Sequence, residues 1–165
     1  MRERASRIAA LYDVHGNLPT VDAVLSDLKR VRPDLVVVGG DVAADPMPVE
    51  VLDRLGALGE GVRFVRGNAD REVVAAYGGD WRDAVSDDAA NRAWRAASWT
   101  ASRIDRRHRD LLASFAEWLV VEVEGLGEVM FCHGSPRSDE EIVTTATTEE
   151  RFREILAGIS HNLIV

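Results

Sequence analysis

Four apolar runs in this chain each end at residues of the kinds that bind metal ions or phosphate. The runs are short and rich in aliphatic side chains, as strands are. The polar groups that follow them are Asp13 with His15, Asp41, Asn68 and His133. Parallel strands place their carboxyl ends at one edge of a sheet, where α/β proteins bind ligands. The pattern therefore predicts an α/β fold in which four loops deliver these groups to one edge.

The first part of the chain alternates strand and helix patterns. Strands are predicted at 8–12, 35–38 and 62–65, and helices at 21–31 and 49–58. The helices are predicted from apolar residues three and four positions apart. Asp13 and Asp41 are separated by 28 residues, and Asp41 and Asn68 by 27. Each interval is close to one strand–helix–strand unit of roughly 30 residues, so a parallel sheet with right-handed crossovers is expected.

The second part of the chain is less regular. Residues 77–97 are interpreted as a surface insertion with a helix beginning near Asp88, and a second helix is predicted over 99–115. On that second helix, His108 is expected to be solvated. A hairpin is predicted from 118–124 and 129–132, a helix over 148–157 with Thr147 or Thr148 as its cap, and a short strand at 163–165. A single domain covering 1–165 accounts for all of these elements.

Composition argues against several classes of protein. The chain has 165 residues, a net charge of -8 and one cysteine, Cys132. A net negative charge disfavours a nucleic-acid-binding protein, which usually carries a basic patch. One cysteine cannot form an internal disulfide, and this fits a cytoplasmic location. No apolar run is long enough to cross a membrane, so no membrane partner is expected.

The side chains at the predicted sheet edge suit a pair of divalent cations. Two carboxylates, two imidazoles and one amide oxygen are ligands that first-row metals such as Mn, Fe, Ni or Zn accept. A carboxylate such as that of Asp41 can bridge two ions about 3.5–4 Å apart, which together clamp a phosphate ester and activate water. We therefore expect a two-metal centre.

Four motifs resemble those of the calcineurin-like metallophosphoesterase superfamily, especially its small bacterial and archaeal members that open with D-x-H-G-N. The motifs are Asp13-Val14-His15-Gly16-Asn17, Gly39-Gly40-Asp41, Gly67-Asn68-Ala69-Asp70 and His133-Gly134. They cover most of the chain in the family's order. The resemblance implies an α/β/β/α fold, in which a β-sandwich is flanked by helices. It also implies hydrolysis of a small phosphate monoester or diester by a hydroxide that two divalent metal ions activate (Mn²⁺, Fe²⁺ or Fe³⁺, Ni²⁺ or Zn²⁺).

The resemblance assigns a role to each ligand. Asp13 and His15 would bind the first metal ion, Asp41 would bridge the two ions, and Asn68 and His133 would bind the second.

Three residues next to these ligands are candidate catalytic groups. Asn17 is expected to orient the bound phosphate, and Arg71 is expected to neutralise its charge. Asp70 keeps the acidic position of the family motif.

Two departures from the family pattern bear on activity. Ala69 stands where many members have a histidine that contacts the phosphate, and alanine can neither donate nor accept a proton. The family's G-H-T-H motif, which gives one ligand to each metal, would be expected after the strand at 163–165. We therefore expect a C-terminally truncated chain with an incomplete second sheet, weakened metal binding and a tendency to form homo-oligomers.

Two interpretations of function follow. The leading one is a binuclear metallophosphoesterase that acts on a small phosphate ester or diester, nucleotides included. The rival is a metal-binding module, catalytically weak or inactive, that binds or regulates a partner; Ala69 and the missing motif favour it. A nucleotide-binding Rossmann-like domain is disfavoured because the chain contains neither G-x-G-x-x-G nor a Walker A lysine.

Overall fold

The computed structural model describes residues 3–79 and 88–165. Within these residues the strands are β1 (Arg4–Ala5), β2 (Ile8–Leu11), β3 (Leu35–Val38), β4 (Val62–Phe64), β5 (Trp118–Val123), β6 (Gly127–Cys132) and β7 (Leu163–Ile164). The helices are α1 (Leu18–Val31), α2 (Pro48–Gly56), α3 (Asn68–Gly78), α4 (Asp88–Ala101), α5 (Arg106–Ala113) and α6 (Glu149–Ile155).

The first sheet carries the three strands predicted in the first part of the chain. Its order is β2–β3–β4, and both neighbouring pairs are parallel, with Ile8 opposite Leu35 and Val36 opposite Val62. The helices α1 and α2 connect these strands. The predicted parallel sheet is therefore confirmed, and the carboxyl ends of its strands lie at one edge.

The second sheet is mixed, with the order β1–β5–β6–β7. The strands β5 and β6 form the predicted antiparallel hairpin, in which Trp118 lies opposite Cys132. The two outer strands run parallel to their neighbours, β1 beside β5 and β7 beside β6. Because β6 ends at Cys132, the next residue, His133, belongs to a loop of this second sheet.

The central strand β3 divides the core into two layers because its side chains alternate between the faces of the sheet. Val36 and Val38 pack with the buried side chains of the helical layer, including Leu52. Leu35 and Val37 pack with buried side chains of the second sheet. Burial on both faces explains the continuous apolar run of this strand. The expected sandwich of two sheets with flanking helices is confirmed.

The helix predicted over 99–115 is wrong as a single element, because the chain forms α4 and α5 with a break between them. Asp105 begins α5, since its carboxylate accepts the backbone N–H of His108 at 3.0 Å. The expectation that His108 is solvated is also wrong. Its side chain is 4% exposed, with Nδ1 at 2.8 Å from Asp105 Oδ1 and Nε2 at 3.1 Å from Asp53 Oδ1. Hydrogen bonding to these carboxylates offsets the free-energy cost of burying a polar ring.

The predicted insertion at 77–97 stays a prediction, because residues 80–87 lie outside the described residues. Residues 88–97 belong to α4, which packs against α3. In the described parts of the chain, no helix combines the length and the apolar character needed to cross a membrane.

The entry to β2 depends on a carboxylate, and this predicts a pH-dependent stability. Asp34 accepts the backbone N–H groups of Arg7 and Ser6 at 2.8 and 2.9 Å. These bonds lower the pKa of Asp34 below its ordinary value of 3.8. The stabilisation is therefore present above pH 3.8 and is lost as pH falls through the lower folded-state pKa. In urea unfolding experiments, we expect the free energy of unfolding of Asp34→Asn to fall less than that of the wild type between pH 5 and pH 3.

The matched control is Asp27→Asn, which changes an exposed carboxylate on α1. This variant should follow the wild-type pH dependence. Equal pH dependence in Asp34→Asn and the wild type would contradict the role of Asp34.

Candidate metal centre

The loop after β2 is held beside the loop after β3 by backbone hydrogen bonds that extend the parallel pairing past the strand ends. The N–H of Asp13 donates to the carbonyl of Gly40 at 3.2 Å. The N–H of His15 donates to the carbonyl of Asp41 at 2.8 Å. Two predicted ligands of the first loop are thereby fixed next to the predicted bridging ligand of the second.

Three predicted ligands have left-handed backbone conformations, which are unfavourable for residues other than glycine. The φ angles are 53° for Asp13, 45° for His15 and 52° for Asp41. Such a conformation costs about 1–2 kcal/mol per residue. Strain of this kind collects at functional sites, where the surrounding structure holds side chains in a required direction. The strain therefore supports a functional role for these turns.

The Asp41 carboxylate faces two imidazoles with separate oxygens. Its Oδ2 lies 3.6 Å from His15 Nε2, and its Oδ1 lies 3.6 Å from His133 Nε2. Asp13 Oδ1 completes the first side at 3.7 Å from His15 Nε2. Atoms bonded at about 2.1 Å to one tetrahedral ion lie about 3.4 Å apart, so these separations fit shared ligation. Ligand atoms of Asp13, Asp41 and His133 all lie within 4.8 Å of one another.

His133 is oriented by its other ring nitrogen. Nδ1 lies 3.0 Å from the carbonyl oxygen of Gly39, an acceptor, so Nδ1 carries the proton and donates. Nε2 then carries the lone pair and points toward Asp41. Carbonyl partners of this type fix the tautomer of metal-binding histidines. The ring is suited to bind a cation through Nε2.

Two glycines allow the ligand loops to approach each other. A Cβ on Gly67 would lie 2.1 Å from Asp41 Oδ1, and a Cβ on Gly40 would lie 2.6 Å from His133 Nδ1. Both distances are far below contact distance, so a side chain at either position would displace a predicted ligand. The glycines of the sequence motifs thus have a steric role next to the candidate centre.

Asp70 lies beneath the ligand loops, fully buried, and does not face solvent. Its carboxylate accepts backbone N–H groups from Val42 at 2.9 Å and from Gly67 at 3.1 Å. Burial raises the pKa of Asp70 to about 6, although these N–H donors act in the opposite direction. Through these hydrogen bonds, Asp70 links the loop after β3 to the loop after β4.

Two of the other predicted residues make local contacts with their own helices. Asn17 caps α1, where its Oδ1 accepts the N–H of Thr20 at 3.2 Å. Asn68 is the first residue of α3, and its side chain is hydrogen-bonded to Glu72. The next residue, Ala69, donates its N–H to Asp41 Oδ1 at 2.9 Å.

Arg71 is already paired with acidic side chains. Its Nε and Nη2 donate to the carboxylate of Asp139 at 3.1 and 3.2 Å, and Nη2 also contacts Glu140. These partners raise the pKa of Arg71. The structure therefore places Asp13, His15, Asp41 and His133 together and holds Arg71 in a separate ion-pair cluster.

Sequence reasoning missed two acidic residues near the centre. Asp45 Oδ2 lies 3.7 Å from His15 Nδ1, and Asp139 pairs with Arg71. Asp45 lies four residues after Asp41, outside every motif, and Asp139 follows the His133 loop. A search for carboxylates near motif residues would have included both, without singling them out.

Residues 7–165 match the family model of the calcineurin-like phosphoesterase superfamily domain. The chain belongs to this superfamily. The resemblance carried by the four motifs is thus confirmed. The family is metal-dependent and acts on phosphate esters, and the cluster of Asp13, Asp41 and His133 is a candidate metal site in this chain.

Two solved structures resemble this chain over most of its length. The hypothetical protein PH1004 from Pyrococcus horikoshii OT3 is 17% identical, with a TM-score of 0.73 over 92% of this chain and 64% of that one. A metallophosphoesterase from Sphaerobacter thermophilus is 27% identical, with a TM-score of 0.60 over 86% of this chain and 51% of that one. The chain thus spans less than two thirds of either protein. No curated protein matches it.

The contact between Gly67 and Asp41 predicts that a single methyl group weakens metal binding. Gly67 has a φ of -92°, which alanine adopts without strain, so the effect of Gly67→Ala is a steric clash of its Cβ with Oδ1 and the backbone nitrogen of Asp41. The displaced carboxylate should weaken Mn²⁺ binding by about 10- to 100-fold, the range seen when ligand orientation is lost. Calorimetric titration with Mn²⁺ measures the effect.

Gly61→Ala is the matched control, because a Cβ at Gly61 meets no atom within 4 Å. Its Mn²⁺ affinity should equal that of the wild type. Wild-type affinity in Gly67→Ala would show that Asp41 is not a ligand in the position described.

Proposed function

We propose that this chain binds two divalent cations and uses them to hydrolyse a small phosphate monoester or diester. The observation that supports this most directly is the Asp41 carboxylate, which directs one oxygen toward His15 and the other toward His133 at equal distances of 3.6 Å. A carboxylate between two imidazoles from different loops is the arrangement that a bridging ligand requires.

In this proposal, the ligands of the two ions come from loops of both sheets. Asp13 and His15 would hold one ion, Asn68 and His133 would hold the other, and the Asp41 carboxylate would be a ligand of both. The mixed nitrogen and oxygen donor set favours Mn²⁺, Fe²⁺ or Fe³⁺, Ni²⁺ or Zn²⁺. Bound ions of this type lower the pKa of water and neutralise phosphoryl charge.

The remaining roles belong to residues around the ligands. Since Asn17 Oδ1 accepts the N–H of Thr20, its amide NH₂ is the group available to orient a phosphate oxygen. Asp70 acts as a positioning residue through the backbone of the ligand loops. Arg71 would neutralise phosphate charge, an effect that its pairing with Asp139 and Glu140 reduces.

Ala69 restricts the substrates that this chain can process. Its side chain cannot protonate a leaving group, so a leaving group that is stable as an anion is favoured. Activated diesters such as bis-p-nitrophenyl phosphate meet this condition. Unactivated alkyl monoesters should be poor substrates.

A metal-binding module without turnover is the second candidate function. Two observations favour it: Ala69 lacks a proton to transfer, and the guanidinium of Arg71 is engaged by carboxylates. Such a module would hold metal through the same residues and bind a partner instead of hydrolysing an ester. The homo-oligomer expected from the sequence stays a prediction.

Asp41→Asn tests the enzyme proposal. The amide replaces one carboxylate oxygen with an NH₂ group that cannot ligate, so bridging is lost. We expect Mn²⁺-dependent hydrolysis of bis-p-nitrophenyl phosphate to fall more than about 100-fold, since the activating ions lose their shared ligand. Elemental analysis should find two metal ions per wild-type chain and fewer in the variant.

Asp110→Asn, an exposed carboxylate on α5, is the control and should keep full activity. Metal binding without hydrolysis in the wild type would favour the non-catalytic module. A wild-type chain that binds no metal would contradict both candidate functions.

A further inference from the structure

A groove of about 210 Å³ adjoins the candidate metal centre on the side of His133. Its walls include Arg66, Trp118, Ser135, Arg137 and Asp139. His133 belongs both to the groove and to the centre, because the residue lines the groove and its Nε2 lies 3.6 Å from Asp41 Oδ1. A ligand with its phosphate at the centre would therefore extend naturally into this groove.

Trp118 is held beside His133 by strand register. In the β5–β6 hairpin, Trp118 lies opposite Cys132, the residue directly before His133. The Trp118 residue is 51% exposed, although a tryptophan ring is largely apolar. The hairpin thus presents an open aromatic surface one residue away from a candidate metal ligand.

The arginines of the groove are already neutralised. Arg66 Nη2 donates to Glu117 Oε1 at 3.0 Å, and Arg66 Nε lies 3.8 Å from Asp139 Oδ2. Arg137 donates through Nε at 2.8 Å and through Nη2 at 2.6 Å to Glu141. The groove therefore offers no excess positive charge for a second phosphate. An uncharged group with a flat face and polar edges suits it better.

We propose that this groove binds the base of a nucleotide-type phosphate diester, stacked on Trp118, while the phosphate occupies the centre at Asp41 and His133. The inference rests on the proposed function, since it assigns the organic part of that same substrate. Stacking of a base on an aromatic side chain changes affinity by roughly 5- to 150-fold. Trp118 is thus a specificity-determining residue that contacts substrate away from the reacting atoms.

Adenosine 5′-monophosphate and ribose 5-phosphate test this inference as binding probes, because a hydroxyl in the second replaces the base of the first and neither unactivated monoester should be hydrolysed readily. Calorimetry with the Mn²⁺-loaded chain should give a dissociation constant for adenosine 5′-monophosphate roughly 5- to 150-fold below that for ribose 5-phosphate. Trp118→Leu keeps an apolar side chain without a flat ring and should abolish the preference. Trp118→Phe keeps a ring and should retain most of it.

Trp99→Leu is the matched control, because Trp99 is 40% exposed on α4 and does not line the groove. It should keep the wild-type preference. Thermal melts of all variants confirm that each remains folded before binding is compared.

These experiments distinguish a failure of the proposed subsite from a failure of the proposed function. Equal affinity for the two phosphates in the wild type, or a preference that survives in Trp118→Leu, contradicts the subsite. If bis-p-nitrophenyl phosphate is hydrolysed at the same time, the proposed function stands and the subsite alone is wrong. If neither phosphate binds and no ester is hydrolysed, both are wrong.

Discussion

The position of the Asp41 carboxylate is the constraint on which the rest of the site depends. Its Oδ1 accepts the N–H of Ala69 at 2.9 Å, and its two oxygens face His15 and His133. Gly67 lies so close that a Cβ there would meet Oδ1 at 2.1 Å. These contacts come from the loops after β2, β4 and β6, which belong to both sheets. The site therefore exists only when the two sheets are packed against each other.

The same arrangement opposes folding when no cation is bound. Left-handed turns at Asp13, His15 and Asp41 cost about 1–2 kcal/mol each. The carboxylates of Asp13 and Asp41 lie near each other, and Asp70 is buried beneath them with a pKa raised to about 6. A cation that binds the folded chain and not the unfolded chain offsets these free-energy costs by mass action. A cation bound at this candidate site would therefore stabilise the ligand loops.

Much of the fold and four members of the candidate site could be predicted from the sequence, because both are encoded locally. Apolar runs end at Asp13 and Asp41, and the parallel topology of the first sheet brings these two strand ends together, whereas His133 reaches them from the second sheet, which the sequence did not predict. Contacts between residues that lie far apart along the sequence could not be predicted, because they depend on how the folded elements pack. Arg71 meets Asp139, 68 residues away, and His108 meets Asp53, 55 residues away. The break between α4 and α5 could not be predicted because the segments on both sides of it have the same helical pattern.

In the proposed enzyme, Ala69 and Trp118 together would determine which esters are hydrolysed. The backbone N–H of Ala69 still holds Asp41, so alanine preserves the geometry of the ligand loops while removing a proton donor. The rate of the proposed hydrolysis would then depend more strongly on how well the ester is oriented, and binding energy obtained away from phosphorus would serve that purpose. Trp118 begins β5 and His133 directly follows β6, so in the proposed subsite the same hairpin would position the stacked ring and the phosphate. A substrate without a flat group would lose that orientation as well as affinity.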